Sequence, residues 1–116
     1  MIKGQKLPPP SAVAVDVDDT LINPNGQPDP RVVEYIRLMK SGGREIYVWS
    51  ARGRAHAEEA VARAGIADLV DACISKPGMI IDDQGWGWVH YTLAYPPHKL
   101  PPVLNRGSFL APQPRG

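Results

Sequence analysis

Residues 11–20 read Ser11-Ala12-Val13-Ala14-Val15-Asp16-Val17-Asp18-Asp19-Thr20. A short continuous apolar run follows the proline stop Pro8 to Pro10 and closes on a cluster of carboxylates. That pattern predicts a buried strand, of the kind found in parallel sheets covered by helices.

The flanking sequence supports an alternating architecture. Residues 22–28, rich in Pro, Asn and Gly, are turn-forming. Asp29-Pro30 supplies an N-cap followed by proline at the first helical position. Val32, Val33, Ile36 and Met39 then share one helical face, and Gly42-Gly43 stops the helix. Glu45 to Trp49 predicts a second strand, closed by Ser50. Ala57, Ala60, Val61 and Ala64 predict a second helix over about 54–64, with Gly65 as its C-cap. Val70–Ser75 reads as a third strand, Met79–Asp82 as a fourth and Gly85–Tyr91 as an edge strand. Strands alternating with helices predict an α/β fold, a compact Rossmann-like parallel sheet with helices on both faces. Such sheets place their chemistry beyond the carboxyl ends of the strands. Asp16, Ser50 and Asp82 each close an apolar run there.

Charge divides the chain as the strands do. All 12 acids lie between Asp16 and Asp83. Residues 11–83 carry 8 basic side chains against those 12, while the whole chain sums to +1. Lys3, Lys6, Lys99, Arg106 and Arg115 make the ends basic, and 12 of the 13 prolines lie outside residues 31–95. The division predicted is an N-terminal segment (1–10), a catalytic domain (11–95) and a proline-rich basic tail (96–116). A single cysteine, Cys73, excludes an intrachain disulfide. No apolar run approaches the roughly 20 residues of a membrane span. The expectation is a cytoplasmic protein without a membrane partner.

The carboxylates carry the chemistry. In an extended segment Asp16 and Asp18 point the same way. Two like charges that close repel unless a cation neutralises them. Mg²⁺, held by one or two carboxylates with waters and a phosphate, suits the need. The pair Asp82-Asp83, after another apolar run, is placed to complete that site. Ser50 and Lys76 offer a hydroxyl and an ammonium, the right parts to hold a phosphoryl group. Arg52 and Arg54 flank the site, either extending the phosphate grip or standing solvated. His56, His90 and His98 lack metal-ligand spacing and read as surface or packing residues.

In sum the pattern resembles the haloacid dehalogenase-like (HAD) superfamily of phosphohydrolases. Its first motif, DxDxT after a strand, matches Asp16 to Thr20; its second matches Ile46 to Ser50; its third is Lys76; its fourth matches Met79 to Asp83. The resemblance covers roughly residues 11–85. It implies that Asp16 is a nucleophile forming an aspartyl-phosphate and that Asp18 is the acid and then the base. It further implies that Asp16, the Val17 carbonyl, Asp82 and Asp83 surround Mg²⁺, that Ser50 and Lys76 bind phosphate, and that Thr20 ties the loop; by their places beside the site, Asp18 is counted with the metal ligands and Arg52 with the phosphate-binding residues.

Two departures matter. Only five residues separate Lys76 from Asp82, whereas a crossover between parallel strands takes a dozen or more. Either the third strand is vestigial or Lys76 reaches the site from an extended connection. There is also no room for a cap domain, so the site is open. That suits a nucleic-acid phosphate end, or an oligomer whose neighbour acts as lid for a small sugar or nucleotide phosphate. Outside catalysis, the same residues are compatible with a phospho-acceptor switch or a partner-binding module. A body of roughly 75 residues has a marginal core, so part of 84–116 is expected to pack on it or on a second subunit.

Overall fold

The computed structural model describes residues 10–102. Lys3, Lys6, Arg106 and Arg115 lie outside the described residues, as do most of the N-terminal segment and the end of the tail.

Glu45–Ser50 forms the central strand, β2. Burial alternates along it: Ile46, Val48 and Ser50 are buried, while Glu45 is exposed and Tyr47 and Trp49 are half-buried. This two-residue period marks a strand with one covered face. On one side it pairs in parallel with β1 (Ala12–Asp16), Val13 opposite Ile46 and Asp16 opposite Trp49. On the other it pairs in parallel with β3 (Ala72–Ser75), Trp49 opposite Ile74 and Ser50 opposite Ser75.

The helices are α1 (Pro30–Ser41) and α2 (Arg54–Ala64). Asp29 caps α1 by accepting the Arg31 N–H at 2.9 Å. Gly65 closes α2 in the left-handed conformation, which glycine adopts without a Cβ penalty. Gly53, at φ +107°, has no side chain with which to cap α2. Ser75 does so instead: its Oγ accepts the Arg54 N–H at 3.1 Å.

The sheet order is β1-β2-β3. Two right-handed crossovers that step in the same direction put both helices on one face. The core agrees. Val15, Ile46 and Val48 form one cluster with Val32, Ile36 and Met39 of α1 and Ala57, Ala60 and Val61 of α2. The other face carries exposed Ala12, Ala14 and Ile74 and half-buried Tyr47 and Trp49. The expectation of helices on both faces is therefore corrected. Covering the second face takes a reversal of strand direction, and the described chain makes none.

The third strand is real, though it starts at Ala72 rather than Val70. Asp71 sets its start: its N–H donates to the Ile46 carbonyl at 2.8 Å, and its Oδ2 accepts the Ile46 N–H at 2.7 Å. The expected fourth strand is absent among the described residues. Met79 to Asp82 is exposed, non-repetitive chain. Gly85–Tyr91 is not an edge strand but a 3₁₀ helix. Asp82 opens that turn by accepting from the Gln84 N–H with its carboxylate and from the Gly85 N–H with its carbonyl, each at 2.9 Å. A second 3₁₀ turn, Pro97–Lys99, follows. Beyond the sheet, Leu93 packs against the core and the Tyr35 hydroxyl donates to the Pro101 carbonyl at 2.9 Å. No helix among the described residues is long and apolar enough to cross a membrane.

Candidate active site

The parallel register brings the ends of β1, β2 and β3 to one rim. Asp16 closes β1 half-buried, on the open face, level with Trp49. Past it the chain winds tightly. The Leu21 N–H donates to the Asp16 carbonyl at 3.1 Å, and the Thr20 and Ile22 N–H groups both donate to the Val17 carbonyl, at 3.1 and 3.0 Å. Asp19 sits at φ +62°, a left-handed conformation that Asp tolerates better than most residues. This turn presents Asp18 outward. Thr20 ties the loop, through its backbone N–H.

A carbonyl has two lone pairs, and both on Val17 are engaged inside this loop. A metal ion at the Val17 carbonyl would have to share it with these two hydrogen bonds.

Asp18 is held from α2 and from the loop that leads into it. His56 Nε2 lies 3.1 Å from Asp18 Oδ1, and Arg52 Nη1 lies 3.6 Å from the same oxygen. With the proton on Nε2, the imidazole donates to the carboxylate. His56 has no metal-ligand spacing to mark it in the sequence. The available signal was positional: the first turn of a helix after a parallel strand lies at the carboxyl rim.

Ser50 is buried and accepts the Arg52 N–H at 3.0 Å, which leaves its hydroxyl proton free to donate. Lys76 follows β3 directly, and its N–H donates to the Ser50 carbonyl at 2.9 Å. The Lys76 ammonium lies 6.0 Å from the centroid of the Trp49 ring, at the outer range of a cation–π contact. The spacing puzzle is thus resolved in favour of Lys76: a genuine β3 carries it to the rim.

Asp16, Asp18, Ser50, Arg52 and Lys76 therefore share one end of the sheet. Asp82 and Asp83 stand apart, exposed, with Asp82 occupied in its turn. Among the described residues, no three His, Cys, Asp or Glu side chains are grouped so as to hold a metal ion. The two rim carboxylates still match the smaller requirement of Mg²⁺, which keeps most of its waters and takes substrate oxygens.

Beside Asp18 opens a cleft of about 270 Å³ between the post-β1 loop and α2. Ile22, Arg52, His56, Glu59 and Arg63 are among the residues that line it. Arg63 pairs with Glu59 at 2.8 Å, one helical turn away.

A family model for haloacid dehalogenase-like hydrolases matches residues 13–99. The searches of curated proteins and of solved structures returned no match.

Proposed function

The chain belongs to the haloacid dehalogenase-like hydrolase family, and on that premise we propose that it hydrolyses a phosphomonoester with Mg²⁺ through an aspartyl-phosphate. The observation that carries this reading is the pair of carboxylates two residues apart at the end of β1. One stands on the strand, and the other is clamped by His56 and Arg52.

The division of labour follows from position. An Asp16 carboxylate oxygen attacks phosphorus, and the bond from phosphorus to the ester oxygen breaks. Asp18, protonated, gives its proton to that departing oxygen. Asp18 then takes a proton from water, which attacks the same phosphorus and releases phosphate and the Asp16 carboxylate. Ser50 and Lys76 donate to the phosphoryl oxygens as charge shifts onto them. For Lys76 this means exchanging the Trp49 face for a phosphoryl oxygen. Asp16 is the residue that would hold Mg²⁺, with Asp18 beside it left to carry the proton. When bound, the ion supplies charge neutralisation between them and the incoming phosphate.

The cleft beside Asp18 is where a leaving group fits, since Asp18 must reach the departing oxygen. Its volume lies at the lower edge of ordinary ligand pockets. That favours a small sugar or nucleotide phosphate over a nucleic-acid end. A lone thiol, Cys73, fits a reducing, cytoplasmic setting.

The test is phosphate release from an aryl phosphate, followed by a panel of sugar, nucleotide and 3′-phosphorylated oligonucleotide substrates. Turnover is expected to require Mg²⁺ and to vanish in Asp16→Asn. Activity that survives chelation, or an active Asp16→Asn variant, would refute the reading. A long-lived aspartyl-phosphate without turnover would make the chain a phospho-switch instead.

A further inference from the structure

Among the described residues the sheet ends at β1, the strand that carries Asp16. β1 pairs with β2 along one edge, and no described residue pairs with the other. An unpaired edge is a template for a further strand. The face beside it, with Ala12, Ala14 and Ile74 exposed, is uncovered as well, which is unusual for a parallel sheet.

The same chain displays an exposed apolar segment of strand composition that no sheet takes up. Met79, Ile80 and Ile81 are 79%, 46% and 92% exposed, beside Trp86 at 77%. They lead into Asp82-Asp83, the one acidic motif that the rim does not use.

This segment does not reach the parallel position on its own β1. Ser75 ends β3, at the far edge of the sheet, and only Lys76, Pro77 and Gly78 separate it from Met79. Four steps of extended chain span at most about 14 Å. With Asp82 level with Asp16, Met79 would sit three strand spacings across and about four residues back. The straight line alone is then about 20 Å. An antiparallel placement needs less reach but carries Asp82 to the amino end, away from Asp16.

We propose that the occupant of the β1 edge is a second copy of this chain, whose Met79–Asp83 segment adds in parallel to β1 and sets the partner's Asp82 and Asp83 beside Asp16. Donor strand and acceptor edge are both present on every copy. Made reciprocally between two copies, the exchange closes as a two-fold dimer. It covers Met79, Ile80 and Ile81 and supplies each rim with the carboxylates it lacks. The role of the acidic pair rests on the phosphatase reading; the strand exchange does not.

Two measurements test it on the full chain. In sedimentation, the wild type is expected to be a dimer. Ile81→Lys, at a side chain too exposed to matter for the monomer fold, is expected to be a monomer with an unchanged circular dichroism spectrum. In complementation, Asp16→Asn is mixed with a double Asp82→Asn, Asp83→Asn variant. Each is inactive alone. A mixed dimer has one intact rim in two, so random exchange restores about a quarter of wild-type activity. A monomeric wild type, a dimer indifferent to Ile81→Lys, or an active wild type whose mixed variants stay inactive would each overturn the proposal. A wild type without phosphatase activity would instead count against the phosphatase reading, and sedimentation alone would then decide the interface.

Discussion

His56 shows what a single side chain contributes at this rim. Its imidazole meets Asp18 at 3.1 Å, on the residue to which the proposed scheme gives both proton transfers. It touches no reacting atom in the scheme, so its part is to position Asp18. Removing a hydrogen bond to a charged group costs about 1.5–3 kcal/mol. His56→Ala is therefore expected to lower kcat at least about tenfold while KM stays nearly constant. His56→Gln, which can place an N–H near the same oxygen, should recover part of the loss. Steady-state kinetics of the two variants check this; equal losses in both would leave His56 a packing residue only.

At this scale the sequence was readable where chemistry follows residue type and strand ends. Asp16, Asp18, Ser50 and Lys76 stand at the rim because each closes or follows an apolar run. His56 and Ser75 were not readable. Their roles depend on which helix turn and which strand end meet, and only tertiary contact specifies that. The two hydrogen bonds onto the Val17 carbonyl were hidden for the same reason: they belong to the path of the loop, not to its composition.

Among the elements, Asp71 joins three. Its carboxylate accepts the Ile46 N–H of β2, takes the Lys40 ammonium at the end of α1 at 2.9 Å, and sits just before β3. The Ile46 N–H first, and Lys40 second, hold the Asp71 carboxyl below its ordinary value. Arg31, chiefly through a side-chain hydrogen bond, does the same for Asp29 at the start of α1. A carboxyl lowered on folding stabilises the fold fully above its unfolded pKa, about 3.9. That stabilisation is lost as pH falls through the lower folded value. Thermal stability is thus expected to be flat from neutrality to about pH 5 and to fall below about pH 4. Asp71→Asn should lower the melting temperature at pH 7 and flatten part of the acid limb. Melts of both proteins from pH 7 to pH 3 measure it; parallel acid limbs would remove Asp71 from the account.

The elements themselves were largely legible. β1, α1, β2 and α2 appear at or within a residue of their expected bounds, because caps, glycines and apolar period all agree there. The segment 79–91 was misread. Apolar residues in Met79 to Ile81 and alternating tryptophans have strand composition, but composition does not say whether a sheet edge lies within reach. Three linking residues after β3 put the parallel position beside β1 out of reach. Asp82 and Gly85 then favour a turn.

For the molecule as a whole, the chain after the sheet completes the body on the side of α1. Leu93 enters the margin of the core and Tyr35 anchors Pro101. Truncation after Tyr95 removes that hydrogen bond and uncovers Tyr35. One such bond is worth about 1 kcal/mol, and in a domain of this size 1 kcal/mol moves the melting temperature by about 4–8 °C. A drop of at least that order is expected in a thermal melt of the truncated chain, and an unchanged melt would mean that 96–116 adds nothing to the fold. The sequence foresaw that the later chain packs back on the body. It did not foresee the one-sided layering, since strand order is a property of the whole sheet that local pattern does not encode.

That layering bears on the reactivity of Asp16. The side chain shares its face with Ala14 and Trp49, and neither α1 nor α2 lies above it. A carboxylate in such a place keeps much of its hydration shell, and a hydrated anion is a sluggish nucleophile. Enzymes roofed by their own helices strip that water before substrate comes. Here the drying falls to the visitor: the arriving ester, or a second polypeptide laid across the sheet, completes the low-dielectric surroundings in which Asp16 becomes reactive.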